Sequence, residues 1–461
     1  MGTSAANKEN FKGSRIEPWK QKELYFLVTY AFVFYVIIIC RSLQLSHDYG
    51  KQLFGLRPGW LIPRQLNIFA QKKYFPLVIW SYNSFFLVCN RIYEGYSFSF
   101  FGQQWAFLDN FRGTFRWHIC FNFVVLRMIS FGFDYHWRNQ DSHFDMEKHC
   151  KRCHICKSGK SCYQALQESR LQNDKFAYTT YLCYLLYAPL YIAGPILSFK
   201  AFASQLEVPQ NTHSVKNVVL YGFRWLFSLL LMELMTHLFY YNSFANSGLW
   251  KHMSPMDIFI IGYGVLNFMW LKFLLIWRFF RFWSLINGIE APENMPKCIN
   301  NCHSLEDFWK NWHASFNKWL VRYIYIPLGG SQKKLLNVWV VFTFVAIWHD
   351  LEWKLLSWAW LTCLFFIPEL ALKSAANAFQ AEFSFGEFIF REISAVAGAI
   401  TITSLMVANL VGFVIGPKGI NWLLDSFLSK EGLPVLGAMF ITFYVGTKLM
   451  FHIEEARKRS R

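Results

Sequence analysis

The sequence predicts an all-α, polytopic integral membrane protein, and three observations carry that prediction. Hydrophobic residues fill 54% of the 461 positions and aromatic residues 20%, with 49 Phe, 22 Tyr and 20 Trp. Mean hydropathy is positive, at +0.20. Several apolar runs approach the roughly 20 residues needed to cross a bilayer core. A lipid-embedded bundle uses such a composition because its outer surface meets hydrocarbon and its ends need aromatic anchors.

In chain order, residues 1–23 form a polar, basic tail, and Leu24–Cys40 is the first apolar run. No small-residue cleavage site closes that run, so it reads as an uncleaved span. Residues 41–73 read as a mixed basic, interfacial loop. Tyr74–Cys89 is a weaker span, and Tyr96–Leu108 is short and polar-flecked, hence re-entrant or interfacial. Trp117–Phe133 is a further span, and residues 134–175 are the longest polar stretch. Phe176–Phe199, Asn217–Tyr241 and Met256–Trp277 are strong apolar runs. Residues 278–335 are amphipathic and Trp-rich. Asn337–His349 is apolar but short, and Trp353–Leu370, Phe388–Gly416 and Leu433–Phe451 complete the series. The count is about ten transmembrane helices within a membrane domain at 24–451. A basic tail follows at 452–461, and no internal repeat is visible.

The net charge of +17 would point to nucleic acid in a soluble protein. Here the basic residues cluster between apolar runs, as in "RIEPWKQK" and "EEARKRSR". That distribution follows the positive-inside rule and suits anionic headgroups. The expected partner is the lipid bilayer, with no nucleic acid.

Two histidines stand out. In "FTFVAIWHD", an apolar run ends on Trp348, His349 and Asp350. An ionisable group at membrane depth is costly, so it points to function by default. The bland reading is an interfacial histidine bonded to a helix-end carbonyl. Upstream lies "DFWKNWHASFNKWLVRYIYIPLGG", Asp307 to Gly330. Phe308, Trp312, Phe316, Trp319, Leu320 and Tyr323 recur at helical spacing and make one aromatic face. His313 and Asn317 are i,i+4 neighbours on another face. Pro327, Gly329 and Gly330 end the helix. One helix is therefore expected to present an imidazole and an amide together.

The segment "FWKNWHASFNKWLVRYIYIPLGG" closely resembles the signature of the membrane-bound O-acyltransferases, including the bacterial alginate acetyltransferases and teichoic-acid D-alanyl transferases. "FVAIWHD" resembles the family's second signature. "RMISFGFDYHW", "YAPLYIAGPILSFKAF" and "RFWSLINGIEAPENM" look more like the eukaryotic glycerol-uptake branch, related to hedgehog acyltransferase. The resemblance covers about residues 20–455 and implies that family's core, with a membrane tunnel and an active-site region at 278–370. It also implies acyl-CoA as co-substrate, no cofactor, and a multi-pass location in the endoplasmic reticulum. By resemblance, His349 matches the family histidine and His313 the second active-site position. Some relatives carry Asp or Asn at the latter, so the hedgehog enzyme's protein-palmitoylating activity does not transfer directly.

The chemistry suits these residues. A thioester is already activated, and a lipid hydroxyl is a weak nucleophile. A neutral imidazole takes its proton during attack and returns it to the leaving thiolate. Burial in a low-dielectric pore favours that neutral form. The expected catalytic residues are therefore His349 as base and His313 as orienting or polarising group. Asn317, Arg322, Trp309, Trp312 and Trp348 form the expected substrate-binding set. Arg322 and flanking cations such as Arg281, Lys310 and Lys334 are available to CoA phosphates or to topology. The expected reaction is acyl transfer to a glycerophospholipid or GPI-anchor lipid. A protein or peptide acceptor, a glycerol transporter and a non-catalytic scaffold are the alternatives.

Four of the 11 cysteines lie in "HCKRCHICKSGKSC": Cys150, Cys153, Cys156 and Cys162. They are zinc candidates, although the spacing is compressed relative to the usual two pairs. Free thiols, S-palmitoylation and, on a lumenal face, disulfides are the other readings.

Overall fold

A computed structural model describes residues 18–53, 80–85, 117–139, 144–206, 208–350, 352–380 and 386–459. Every regular element among them is helical. The expected segments Tyr96–Leu108 and most of Tyr74–Cys89 lie outside the described residues.

Six helices are long and apolar enough to cross a membrane: Lys22–Arg41, Val215–Leu238, Pro255–Ile286, Trp353–Ala371, Phe388–Ile415 and Gly432–Arg459. The expectation of about ten spans is thus met for six among the described residues. The others differ for identifiable reasons. Trp117–His136 is a 20-residue helix, but its middle is packed inside the protein, with Val124, Val125, Leu126 and Ile129 buried. The expected span Phe176–Phe199 is not one helix. It divides into Tyr178–Leu186, Ala188–Ile192 and an extended stretch before Phe199. Pro189 has no N–H to continue the ladder, and Pro195 extends the break. Arg127 satisfies the carbonyls this exposes, donating to Tyr184 O at 3.1 Å and Leu185 O at 2.8 Å.

The long Pro255–Ile286 helix, about 48 Å at 1.5 Å per residue, is the axis of the molecule. Ser254 caps its start by accepting from Asp257 N, and Pro255 pre-sets the first turn. Asp257 accepts a two-pronged grip from Arg41, at 2.6 and 2.9 Å, which docks the first helix. Val215–Leu238 packs along the same helix and turns Phe223, Phe227, Leu230 and Leu234 outward. Such a face suits hydrocarbon. On the other side, Gly386–Leu410 packs against Gly432–Arg459, and Lys334–His349 against Trp353–Gln380. Glu23 ties the ends of the chain together: it pairs with Lys448 at 2.6 Å, His452 at 3.1 Å and Arg391 at 3.2 Å. The last helix continues through Arg459, so the expected tail at 452–461 is largely its final turns.

Candidate active site

The expected single helix carrying His313 and Asn317 is two. Leu305–Asn311 and Ala314–Leu320, each seven residues, meet at a break. Trp312 is extended (φ −88°, ψ 122°), and His313 is left-handed (φ 47°, ψ 50°). His313 and Tyr240 are the only non-glycine residues with positive φ among the described residues. That conformation costs roughly 1 kcal/mol or more and persists only where its surroundings impose it. Asn294 imposes it here. Its carbonyl accepts from Ala314 N and its side-chain Oδ1 from Ser315 N, both at 3.0 Å, so a fully buried asparagine caps the second helix. Ser315 Oγ in turn accepts from Ile196 N at 2.8 Å, tying the break to the Pro195 turn. A five-residue π segment, Val321–Tyr325, follows.

His313 is buried, and Trp277 lies 4.3 Å from it, centroid to centroid. It sits outside the six candidate spans. Burial, with His349 nearby as a lesser cause, pushes its imidazole down to about 3, so it is neutral at ordinary pH. Among the described residues its Nδ1 has no hydrogen-bond partner, and neither has the buried Nε1 of Trp309.

His349 ends the Lys334–His349 helix. As a residue it is exposed, with its ring against Trp348 and Trp358, so the burial expected for His349 falls on His313 instead. Trp348 bridges the two, with its centroid 4.8 Å from His349 and 6.4 Å from His313. Both histidines line one cavity of about 680 Å³. Trp309, Trp312, Trp348 and Asn317 also line it. Much of the remaining wall is apolar and aromatic, drawn from Phe273, Trp277, Phe316, Phe342, Trp358 and Phe413. Gly412 lets Trp358 approach, since a Cβ there would stand 2.7 Å from it.

Two expected substrate contacts have other duties. Asn317 donates from Nδ2 to Trp309 O at 2.8 Å, reaching back to close the end of the preceding helix. Arg322 does not line the cavity. Its guanidinium is held by Glu168 and by Asp134 at 3.3 Å, and it stacks on Trp137 and Tyr323. Burial beside two carboxylates explains that choice of partner better than a CoA phosphate does. Arg281 likewise donates to Ala291 O at 2.7 Å and faces Glu293. Lys310 and Lys334 both meet Glu306.

Sequence reasoning missed three residues. Asn122 lines the cavity and holds Trp348 from the Trp117–His136 helix. Asn294 sets the break at His313. Lys272 is the only lysine or arginine on the cavity wall among the described residues. Each left a signal: Asn122 and Lys272 are lone polar residues in apolar runs, and Asn294 lies in "IEAPENM".

In the cysteine loop the structure groups His149, Cys153, Cys156 and Cys162, with all four ligand atoms within 4.8 Å of one another. Cys150, named among the zinc candidates, is outside the group and His149 takes its place. Residues 149 and 153 lie one helical turn apart, whereas 150 is rotated about 100° away.

An all-helical, multi-pass membrane protein with two histidines on one apolar cavity is thereby defined. Residues 74–411 match the family model described as the membrane-bound O-acyltransferase family, and the chain belongs to that family. It is similar to membrane-bound O-acyltransferase gup1 of Schizosaccharomyces pombe, 36% identical over 389 residues, or 82% of this chain and 64% of the relative. The Candida tropicalis GUP1 enzyme is 34% identical over 458 residues, 97% of this chain and 74% of that one. The chain thus spans about two thirds to three quarters of these relatives. The protein-cysteine N-palmitoyltransferase HHAT of Mus musculus is 30% identical over 201 residues, 42% of this chain and 40% of the relative.

Proposed function

We propose that this chain is an O-acyltransferase that moves a fatty acyl group from acyl-CoA to a lipid hydroxyl within the His313–His349 cavity. The observation that carries the reading is the shared cavity itself. Two imidazoles open into a mostly apolar space of about 680 Å³. That volume lies in the range of ligand pockets, and its wall suits an acyl chain. Among the described residues the buried nitrogens of His313 and Trp309 have no partner, and a ligand's polar group would supply one.

In the proposed step the acceptor hydroxyl attacks the thioester carbonyl while His349 removes its proton. The C–S bond breaks, the proton passes to the departing thiolate, and the products are an ester and free thiol. His313, neutral in its buried position, orients the acceptor or polarises the carbonyl. Lys272 offers a cation to the donor. The cavity forms part of the tunnel through which two amphiphiles meet, within an active-site region at 278–370 extended by Asn122 and Lys272. The acceptor is a glycerophospholipid or a GPI-anchor lipid, and the membrane is that of the endoplasmic reticulum. The named function of the gup1-type relatives supports acyl transfer. The partial likeness to a protein palmitoyltransferase makes a peptide the acceptor to test alongside.

The test is acyl transfer by purified protein in nanodiscs, with labelled long-chain acyl-CoA and a panel of lysolipid, GPI-lipid and peptide acceptors. Transfer to a lipid hydroxyl that collapses in folded His349→Ala supports the reading. Full activity in His349→Ala removes the base assignment. Transfer to peptide alone moves the protein into the other acceptor class.

A further inference from the structure

From Phe144 to Ser161 the loop contains no buried residue. Its helices Met146–Arg152 and His154–Lys157 contain no buried residue. At seven and four residues they are far too short to persist alone. What converges inside the loop is chemistry. His149 Nε2 lies 3.1 Å from Cys162 Sγ, and the Sγ atoms of Cys153 and Cys156 complete a group within 4.8 Å. Cys162 is buried, while the other three are partly so. The three cysteines are free of disulfides.

We propose that His149, Cys153, Cys156 and Cys162 bind one structural zinc ion, a site independent of the acyl-transfer reading. The donor set, three thiolates and one imidazole, is a common closed tetrahedral zinc set. With Zn–S near 2.3 Å and Zn–N near 2.0–2.1 Å, tetrahedral ligands stand roughly 3.5–3.8 Å apart, so the widest pair closes by about 1 Å. The backbone already brings the donors to one point. Cys153 N donates to His149 O at 2.8 Å, which sets those two one turn apart, and Cys153-x-x-Cys156 adds the next turn. Gly159, at φ 75°, turns the chain back so that Cys162 faces them. Binding converts three thiols to thiolates and releases three protons, leaving one net negative charge on the complex. Lys148, Lys151, Arg152, Lys157 and Lys160 surround that charge in sequence.

The site also gives the loop a reach. Cys162 caps the Tyr163–Glu168 helix, accepting from Ala165 N at 3.4 Å. Lys318 lies over the Tyr163 ring, and Glu168 grips Arg322. Both cations follow His313 in the same segment. The ion thus fastens the stretch 144–161 to the Ala314–Leu320 helix and the π segment after it.

The experiment is metal analysis of the untagged full-length protein, expressed with added zinc and purified in detergent, followed by cobalt exchange. One zinc per chain is expected, and cobalt should give the absorption of a tetrahedral thiolate site. Cys150→Ser should keep the metal, and Cys153→Ser, Cys156→Ser and His149→Ala should lose it. A chelator should open wild type to trypsin at Lys151 and Lys157, a readout that does not depend on any variant folding. Metal-free protein with Cys153, Cys156 and Cys162 all alkylatable, a disulfide among those three, or zinc retained after Cys153→Ser would each overturn the site.

Discussion

Asn122 and Trp348 bind each other twice: Asn122 Nδ2 donates to Trp348 O at 2.7 Å, and Trp348 Nε1 donates to Asn122 O at 3.2 Å. The first bond satisfies a carbonyl that the end of the Lys334–His349 helix leaves open. The second fixes the indole that separates the two histidines. An amide on a distant helix therefore sets where His349 stands.

Asn122→Leu removes the side-chain bond to Trp348 O from a buried carbonyl, while the backbone carbonyl at 122 still accepts from the indole. The expected stability cost is about 1–3 kcal/mol. Because Asn122 acts through Trp348, kcat should fall while KM for acyl-CoA changes little. Steady-state kinetics on the folded variant check this, and a pure KM effect would instead make Asn122 a donor contact.

His313 has two separable tasks, a left-handed backbone and an imidazole. His313→Gly keeps the backbone conformation without strain, so folding should survive while acyl transfer drops by about 10²-fold or more. His313→Val forces a β-branched residue into that conformation and should fail first in expression and thermal stability. Equal activity in His313→Gly and wild type would reduce His313 to a hinge.

The buried His313 imidazole also predicts the pH dependence of stability. Its native value is depressed to about 3, well below the ordinary histidine value of 6.5. Above that ordinary value neither state binds the proton, and the contribution is complete. As pH falls from there toward 3, the unfolded chain takes up a proton that the native state refuses. Stability is then lost at up to about 1.4 kcal/mol per pH unit. Thermal melts in detergent between pH 7.5 and 5 should slope downward for wild type and less steeply for His313→Gly.

Arg322 separates a structural cation from a substrate contact. Arg322→Met takes the guanidinium from Asp134 and Glu168, leaving Asp134, among the described residues, only its bond from Lys200 N, and should destabilise by about 3–5 kcal/mol. Arg322→Lys keeps the charge, so the protein should fold, with KM for acyl-CoA near wild type. Lys272→Met should do the reverse, with folding intact and KM for acyl-CoA raised several-fold. Isothermal binding of acyl-CoA to both variants distinguishes the two cations.

The class of protein is legible in the chain's local pattern, because apolar length is a local property and the bilayer reads it directly. Val215–Leu238 follows its hydrophobic run closely, and Pro255–Ile286 and Gly432–Arg459 start with theirs and run on beyond Trp277 and Phe451. The two signature segments also named His313, His349 and three cavity tryptophans from local pattern and resemblance. What depends on partners far along the chain was not legible. The helix break at His313 needs Asn294, the seat of His349 needs Asn122, and Arg322 turns to Asp134 and Glu168 across 188 and 154 positions. Helical periodicity there predicts one helix, and a buried asparagine 21 residues before Ser315 makes two. The cysteine loop shows the same division. Sequence supplied the donors, and only the turn at Gly159 and the helical rotation chose His149 over Cys150. Composition and hydropathy are sums over neighbours, so a linear reading recovers them. A site is a meeting of separate elements, and only tertiary packing decides which side chains arrive.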